Sequence, residues 1–147
     1  SGLSWITVLR KRDAFREAFS GFDPHKVAAF GEAEVESLMG DAGIVRNEAK
    51  IRATIGNARA LLALPDGESL GALLERHRPP GKPAPQTLAD VPAETTESRS
   101  LSRELRRHGF RFVGPVTAYA MLQATGYVND HLAGCEFRGP SQPRRNA

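Results

Sequence analysis

Cysteine is all but missing from this sequence: Cys135 is the single one among 147 residues. An internal disulfide framework is therefore excluded, and the usage suits a reducing compartment, so the cytoplasm is the expected location. No stretch approaches the ~18 consecutive apolar residues of a membrane-spanning helix, and no basic segment followed by an apolar run reads as a secretory signal. Membrane partners drop out of the reading. Lysine is absent from the C-terminal third: from Arg99 onward there are 8 arginines and 3 acidic residues, whereas the chain through Ser98 carries 12 basic and 14 acidic residues. The positive field thus belongs to the last third, and its all-arginine make-up suits phosphate, because one planar guanidinium grips two oxygens at once. Paired strand signals are lacking too.

What remains is a chain of ordinary globular composition, 40% hydrophobic and 25% charged, long enough for one domain with a real core. The expected class is all-α: a single-domain helical bundle over 1–138 with an irregular tail at 139–147. Trp5, Ile6, Val8, Leu9, Phe15 and Phe19 recur at helical spacing, in sequence as dense as the inside of a domain. Phe22-Asp23-Pro24 offers an Asp cap with proline at the first helical position, predicting a short helix through Phe30. Another runs from Glu32 to Met39 and breaks at Gly40-Asp41-Ala42-Gly43. The longest pattern spans about Arg46 to Leu64, with Ile51, Ile55, Ala58, Leu61 and Leu62 as its apolar stripe. Leu70, Leu73 and Leu74 mark one more helix, and the proline-rich stretch Lys82 to Thr96 reads as a surface loop.

The segment from Leu101 to Gly126 carries the clearest functional signal. Leu101 and Leu105 give one helix a buried face, and Gly109 can take the left-handed conformation that ends it. Phe112 and Val113 can anchor a turn, Gly114 lets the backbone bend tightly, and Pro115 starts a second helix. Two helices joined in this way, over about 99–126, can present a helix N-terminus to a DNA phosphate without reading a base. Arg103, Arg106, Arg107 and Arg111 lie nearby. An ordinary helical hairpin packed in a core has the same outline. Beyond it, His131 and Cys135 are four residues apart and would share a face if the segment were helical, as two zinc ligands would. No partner motif supplies the remaining ligands, since His25, His77 and His108 are the only other imidazoles.

The stretches SGLSWITVLRKR, LMGDAGIVRNEAKIRATIGNARA and LRRHGFRFVGPVTAYAMLQATGYVNDHLAGC together resemble the DNA-3-methyladenine glycosylase I family, alkyl-base glycosylases of the helix-hairpin-helix type. The resemblance covers nearly the whole chain. It implies hydrolytic excision of N3-methyladenine from alkylated double-stranded DNA in base excision repair, by a monomer that uses no organic cofactor. It also implies roles: Trp5 stacks on the extruded base, while Val113, Gly114, Pro115 and Thr117 hold the DNA backbone, with Arg107 and Arg111 beside them. His131 and Cys135 become two of four ligands to a structural zinc. The family's other two ligands, its pocket aromatics and its base-recognising glutamate fall before the position of Ser1, so no catalytic residue is assigned within this chain.

Where many helix-hairpin-helix glycosylases place an aspartate after the second helix, this sequence has Asn129, and Asp130 earns no catalytic role merely by being acidic. Val116 stands where a second hairpin glycine would fall, which leaves fewer small residues against the phosphate. The rival reading is a non-catalytic helix-hairpin-helix module that binds the DNA backbone. A regulator with a reading helix in the major groove fits less well, because the hairpin offers Gly and Pro instead of base-reading side chains.

Overall fold

The computed structural model describes residues 4–139, with Trp5 described by its backbone alone. Among these residues there are eight α-helices and no strand: α1 (Trp5–Arg10), α2 (Arg12–Ala18), α3 (Pro24–Ala28), α4 (Glu32–Gly40), α5 (Glu48–Leu62), α6 (Leu70–Arg76), α7 (Thr96–Arg107) and α8 (Pro115–Ala124). The class is all-α. Among the described residues no helix is long and apolar enough to cross a membrane. The chain divides into two compact units, one formed by residues 1–66 and 108–112, the other by 67–107 and 113–147. The proposed tail, apart from Gly139, lies outside the described residues.

In the first unit α5 packs against α3 and α4. The reason is its stripe: Ile51, Ile55 and Ala58 recur at helical spacing and are buried with Phe19, Val27, Val35, Leu38 and Ile44. Side-chain caps set the helix starts. Asp23 Oδ1 accepts from the His25 N–H at 2.9 Å ahead of Pro24, and Asn47 Oδ1 accepts from the Lys50 N–H at 3.0 Å. The long helix therefore begins after Asn47, slightly inside the expected range. The single periodic run expected from Trp5 to Phe19 is two helices, broken at Lys11, whose ammonium is drawn to the carbonyls of Ala42 and Gly43 at 2.9 Å each. Phe19 stacks on Phe15, Phe22 and Phe30. Although the opening sequence is as densely apolar as the inside of a domain, Ile6, Val8 and Leu9 are all exposed. Val8 and Leu9, with Phe15, Phe19 and Phe22, edge a cavity of about 730 Å³.

In the second unit α7 packs along α8. Leu101, Leu105, Ala118, Tyr119 and Leu122 are almost fully buried, as are Leu73 and Leu74 of α6. The helix α7 starts earlier than its apolar pattern suggested. Thr95 and Ser98 explain this by a reciprocal cap, the Thr95 N–H donating to Ser98 Oγ at 2.9 Å and the Ser98 N–H to Thr95 Oγ1 at 3.2 Å. The expected surface loop between α6 and α7 contains one 3₁₀ turn, Leu88–Asp90.

Candidate nucleic-acid interface

The helix α7 has two faces. Ser98, Leu101, Ser102 and Leu105 point into the second unit, while Arg103, Arg106 and Arg107 are exposed. Their spacing puts the three guanidinium groups on neighbouring turns of one face. Among the described residues none of the three has a carboxylate or hydrogen-bond partner, whereas Arg76, Arg78 and Arg99 of the same unit are each paired with a glutamate. Unpaired cations on one helix face form a local positive field, which attracts an external anion.

The start of α8 adjoins this helix. Pro115 occupies the first position, Gly114 is the N-cap, and no side chain caps the helix. The amides of the first turn are thus left for an outside acceptor. Gly114 itself has φ −63° and ψ 166°, ordinary extended backbone. The expected bend at glycine is therefore corrected: the left-handed residue of the turn is Phe112, at φ +56°. Nor does internal packing demand a glycine at 114, since a Cβ there would meet, beyond its chain neighbours, only the Arg106 guanidinium at 3.9 Å. Ser102 fixes the approach to this turn by donating its hydroxyl to the Val113 carbonyl at 2.6 Å. Pro115 is partly buried, and Val116 and Thr117 are exposed.

Residues 108–112 belong to the first unit. Gly109 ends the preceding helix with φ +89°, as its position predicts. Asn57 of α5 then clasps the loop, its Oδ1 accepting from the Arg111 N–H at 2.7 Å and its Nδ2 donating to the Arg111 carbonyl at 3.1 Å. The Arg111 side chain is exposed and has no partner among the described residues.

Asp130 is a structural tie. Its Oδ2 accepts from the Tyr119 hydroxyl at 2.6 Å and from Gln123 Nε2 at 2.8 Å, and the Lys82 ammonium lies 2.7 Å from Oδ1. Burial alone would raise this carboxyl, but the hydrogen bonds from Lys82, Tyr119 and Gln123 outweigh it and hold the group below the usual carboxylate range. Burial, with Asp130 beside it, pushes the Tyr119 phenol up. With Thr95, Tyr127, Asn129 and Arg138, Lys82 and Tyr119 line a small cavity of about 120 Å³. Asn129 is engaged on both ends of its amide, accepting from the His131 N–H at 3.2 Å and donating to the Gly139 carbonyl at 3.1 Å.

The zinc assignment is corrected. His131 Nδ1 and Cys135 Sγ do approach to 3.4 Å, but through a non-helical turn. Among the described residues no group of three or more His, Cys, Asp or Glu side chains converges as a metal site would require. A closed structural zinc normally takes four ligands, and these residues offer two. What ties this turn down is Arg138, which donates to the carbonyls of Asn129 and His131, together with the Ala133 N–H donating to the Pro85 carbonyl at 2.9 Å. The side chain of Trp5, the expected base-stacking residue, lies outside the described residues.

Comparison with known proteins agrees with this architecture. Residues 1–139 match the methyladenine glycosylase family. The chain is 48% identical over 139 residues to DNA-3-methyladenine glycosylase 1 of Escherichia coli K12, a match covering 92% of this chain and 74% of that protein. A crystal structure of 3-methyladenine DNA glycosylase I is similar with a TM-score of 0.88 at 42% identity, covering 92% of this chain and 76% of the other. A second, a point variant of such an enzyme in complex with 3-methyladenine, gives 0.86 at 32% identity, covering 99% and 78%. The chain belongs to the DNA-3-methyladenine glycosylase I family of helix-hairpin-helix enzymes. It is a DNA glycosylase, a hydrolase of the N-glycosidic bond.

Proposed function

We propose that the chain removes N3-methyladenine from alkylated double-stranded DNA, holding the strand at the turn from α7 to α8. The family match across residues 1–139 carries this reading. The geometry supports the backbone-binding part. Phosphate oxygens would accept from the uncapped first turn of α8 around Val113, Gly114, Pro115 and Thr117, and Arg107 and Arg111 would neutralise neighbouring phosphates. Gly114 leaves room for a phosphate to approach the backbone closely. Trp5 would stack on the extruded base, which is cationic and so favours an aromatic face.

Methylation at N3 makes adenine a good leaving group. The glycosidic electron pair departs with the base, which leaves neutral, and water adds to C1′ with loss of a proton. Stacking and pocket hydrogen bonds then need to supply less than they would for an unmodified base. The single cysteine favours a cytoplasmic setting, and a monomer is sufficient for this chemistry. The test is release of free base from a duplex carrying N3-methyladenine, measured against spontaneous loss. Release above that background supports the enzyme, whereas tight duplex binding without release favours a backbone-binding module.

A further inference from the structure

Phe112 combines a left-handed backbone with exposure, as Phe22 also does at φ +60° and 50% exposure, but the Phe22 ring stacks on Phe19 whereas Phe112 stands in the turn between α7 and α8. Its backbone is left-handed, at φ +56°, a region that disfavours any residue with a Cβ. The residue is 55% exposed, so burial does not offset the strain. The neighbouring Phe110 is buried, at 8% exposure. One phenylalanine of the pair anchors the loop while the other faces outward.

The residue before Phe112 is tied to α5. Both main-chain groups of Arg111 are held by the Asn57 amide, and the Arg111 carbonyl belongs to the peptide plane that leads into Phe112. With that plane held and Phe110 buried, Phe112 stands exposed at the end of a tied loop. Backbone strain of this kind persists where the surroundings over-determine it, and it gathers at functional positions. The preceding residue, Arg111, is exposed and its guanidinium has no partner among the described residues.

An exposed phenylalanine that follows an exposed, unpaired arginine in the chain suits a surface that alternates anionic and apolar groups. A DNA strand has that alternation, since each phosphate is flanked by the apolar face of a deoxyribose. An apolar protein partner would instead have to bury the Arg111 charge unpaired, which is costly. We infer that Phe112 is a DNA-contact residue, its ring packing on a deoxyribose face of the strand whose phosphates the adjoining turn holds. This rests on the proposed reading of that turn as the DNA-backbone contact.

Phe112→Gly tests the inference, because it removes the ring and the strain together. The variant should keep its helical circular dichroism with an unchanged or raised thermal midpoint, yet bind an undamaged duplex roughly tenfold more weakly. Phe112→Leu retains an apolar group in the same backbone and should recover most of the binding. Gly114→Leu, measured in parallel, reports on the turn itself. Weakening by Phe112→Gly with recovery by Phe112→Leu supports the contact. Unchanged or tighter binding by Phe112→Gly, where Gly114→Leu weakens it, overturns the contact and leaves the reading of the turn intact. Unchanged binding by both overturns that reading and the contact with it.

Discussion

Ser102 donates its hydroxyl to the Val113 carbonyl at 2.6 Å from a site that is 2% exposed. A buried serine in the middle of a helix would ordinarily be a liability, since its hydroxyl competes with helix bonding. Here it satisfies a carbonyl of the turn that follows, and so ties the middle of α7 to the entry of α8. Ser102→Ala should leave that carbonyl unpaired and lower stability by about 1–2 kcal/mol. Chemical denaturation monitored by circular dichroism measures this; a change below about 0.5 kcal/mol would show the bond to be dispensable. Duplex binding should weaken too, because the turn loses its brace.

Gly114 makes a second test. A Cβ there meets nothing closer than the Arg106 guanidinium at 3.9 Å, and the backbone angles suit any residue, so Gly114→Ala should leave the thermal midpoint within a few degrees. If the first turn of α8 seats a phosphate, affinity for damaged and undamaged duplexes should fall together, roughly tenfold, in a titration of both. Undiminished binding would mean that the glycine serves no close approach.

Two hydrogen-bonded carboxylates set an acid limit. Hydrogen bonds from His77 and then Arg76 hold Glu104 below its ordinary 4.5. Asp130 is held below its ordinary 3.8, its donors prevailing over burial. A depressed folded value contributes stability that is present above the unfolded value and is lost as pH falls through the folded one. Stability should therefore drop as pH falls below about 4.5. Asp130→Asn should cost about 2 kcal/mol at neutral pH, because the charge-assisted bonds become neutral ones. The deficit should shrink as pH is lowered. Urea midpoints at neutral and acid pH decide it, and a deficit that stays constant with pH would contradict the linkage.

Much of the fold was legible because it follows from local rules. The Asp23-Pro24 cap, the Ile51-Ile55-Ala58 stripe, the Leu101-Leu105 face and Gly109 all act within a turn or two of their own position. Asn57 was not legible, since its partner Arg111 is 54 residues away and a polar residue on a helix usually faces water. Ser102 and the Lys82-Tyr119-Asp130 tie were missed for the same reason. Gly114 was expected to bend the turn because glycine permits a tight backbone, but it is ordinary extended backbone and the left-handed residue of the turn is Phe112. His131 and Cys135 meet through a non-helical turn and not as zinc ligands on a helix, and spacing could not reveal that Arg138 holds the turn they share.

Trp5 yields a prediction that stands on the family resemblance. If it stacks on the extruded base, Trp5→Ala should reduce the preference for methylated over undamaged duplex by about 1–3 kcal/mol. Non-specific affinity should stay nearly unchanged. Paired titrations with the two duplexes check this. Equal losses for both, in a folded variant, would make Trp5 structural.

The arginines separate electrostatic contact from structural pairing. Arg107 and Arg111 are exposed without partners among the described residues, whereas Arg76 bridges Glu68 and Glu104 at 2.7 Å each. A cation that neutralises a phosphate releases a counterion, so removing it weakens binding at low salt and flattens the dependence of affinity on salt by about one unit of logarithmic slope. Arg107→Ala and Arg111→Ala should each show that flattening while keeping wild-type stability. Arg76→Ala should do the reverse, lowering stability while leaving the slope unchanged, since its charge is already engaged within the fold. Duplex affinities measured across a salt series for the three variants provide the comparison. If Arg76→Ala flattened the slope as much as the other two, the effect would reflect net charge alone, and the assignment of phosphate contacts to Arg107 and Arg111 would fall.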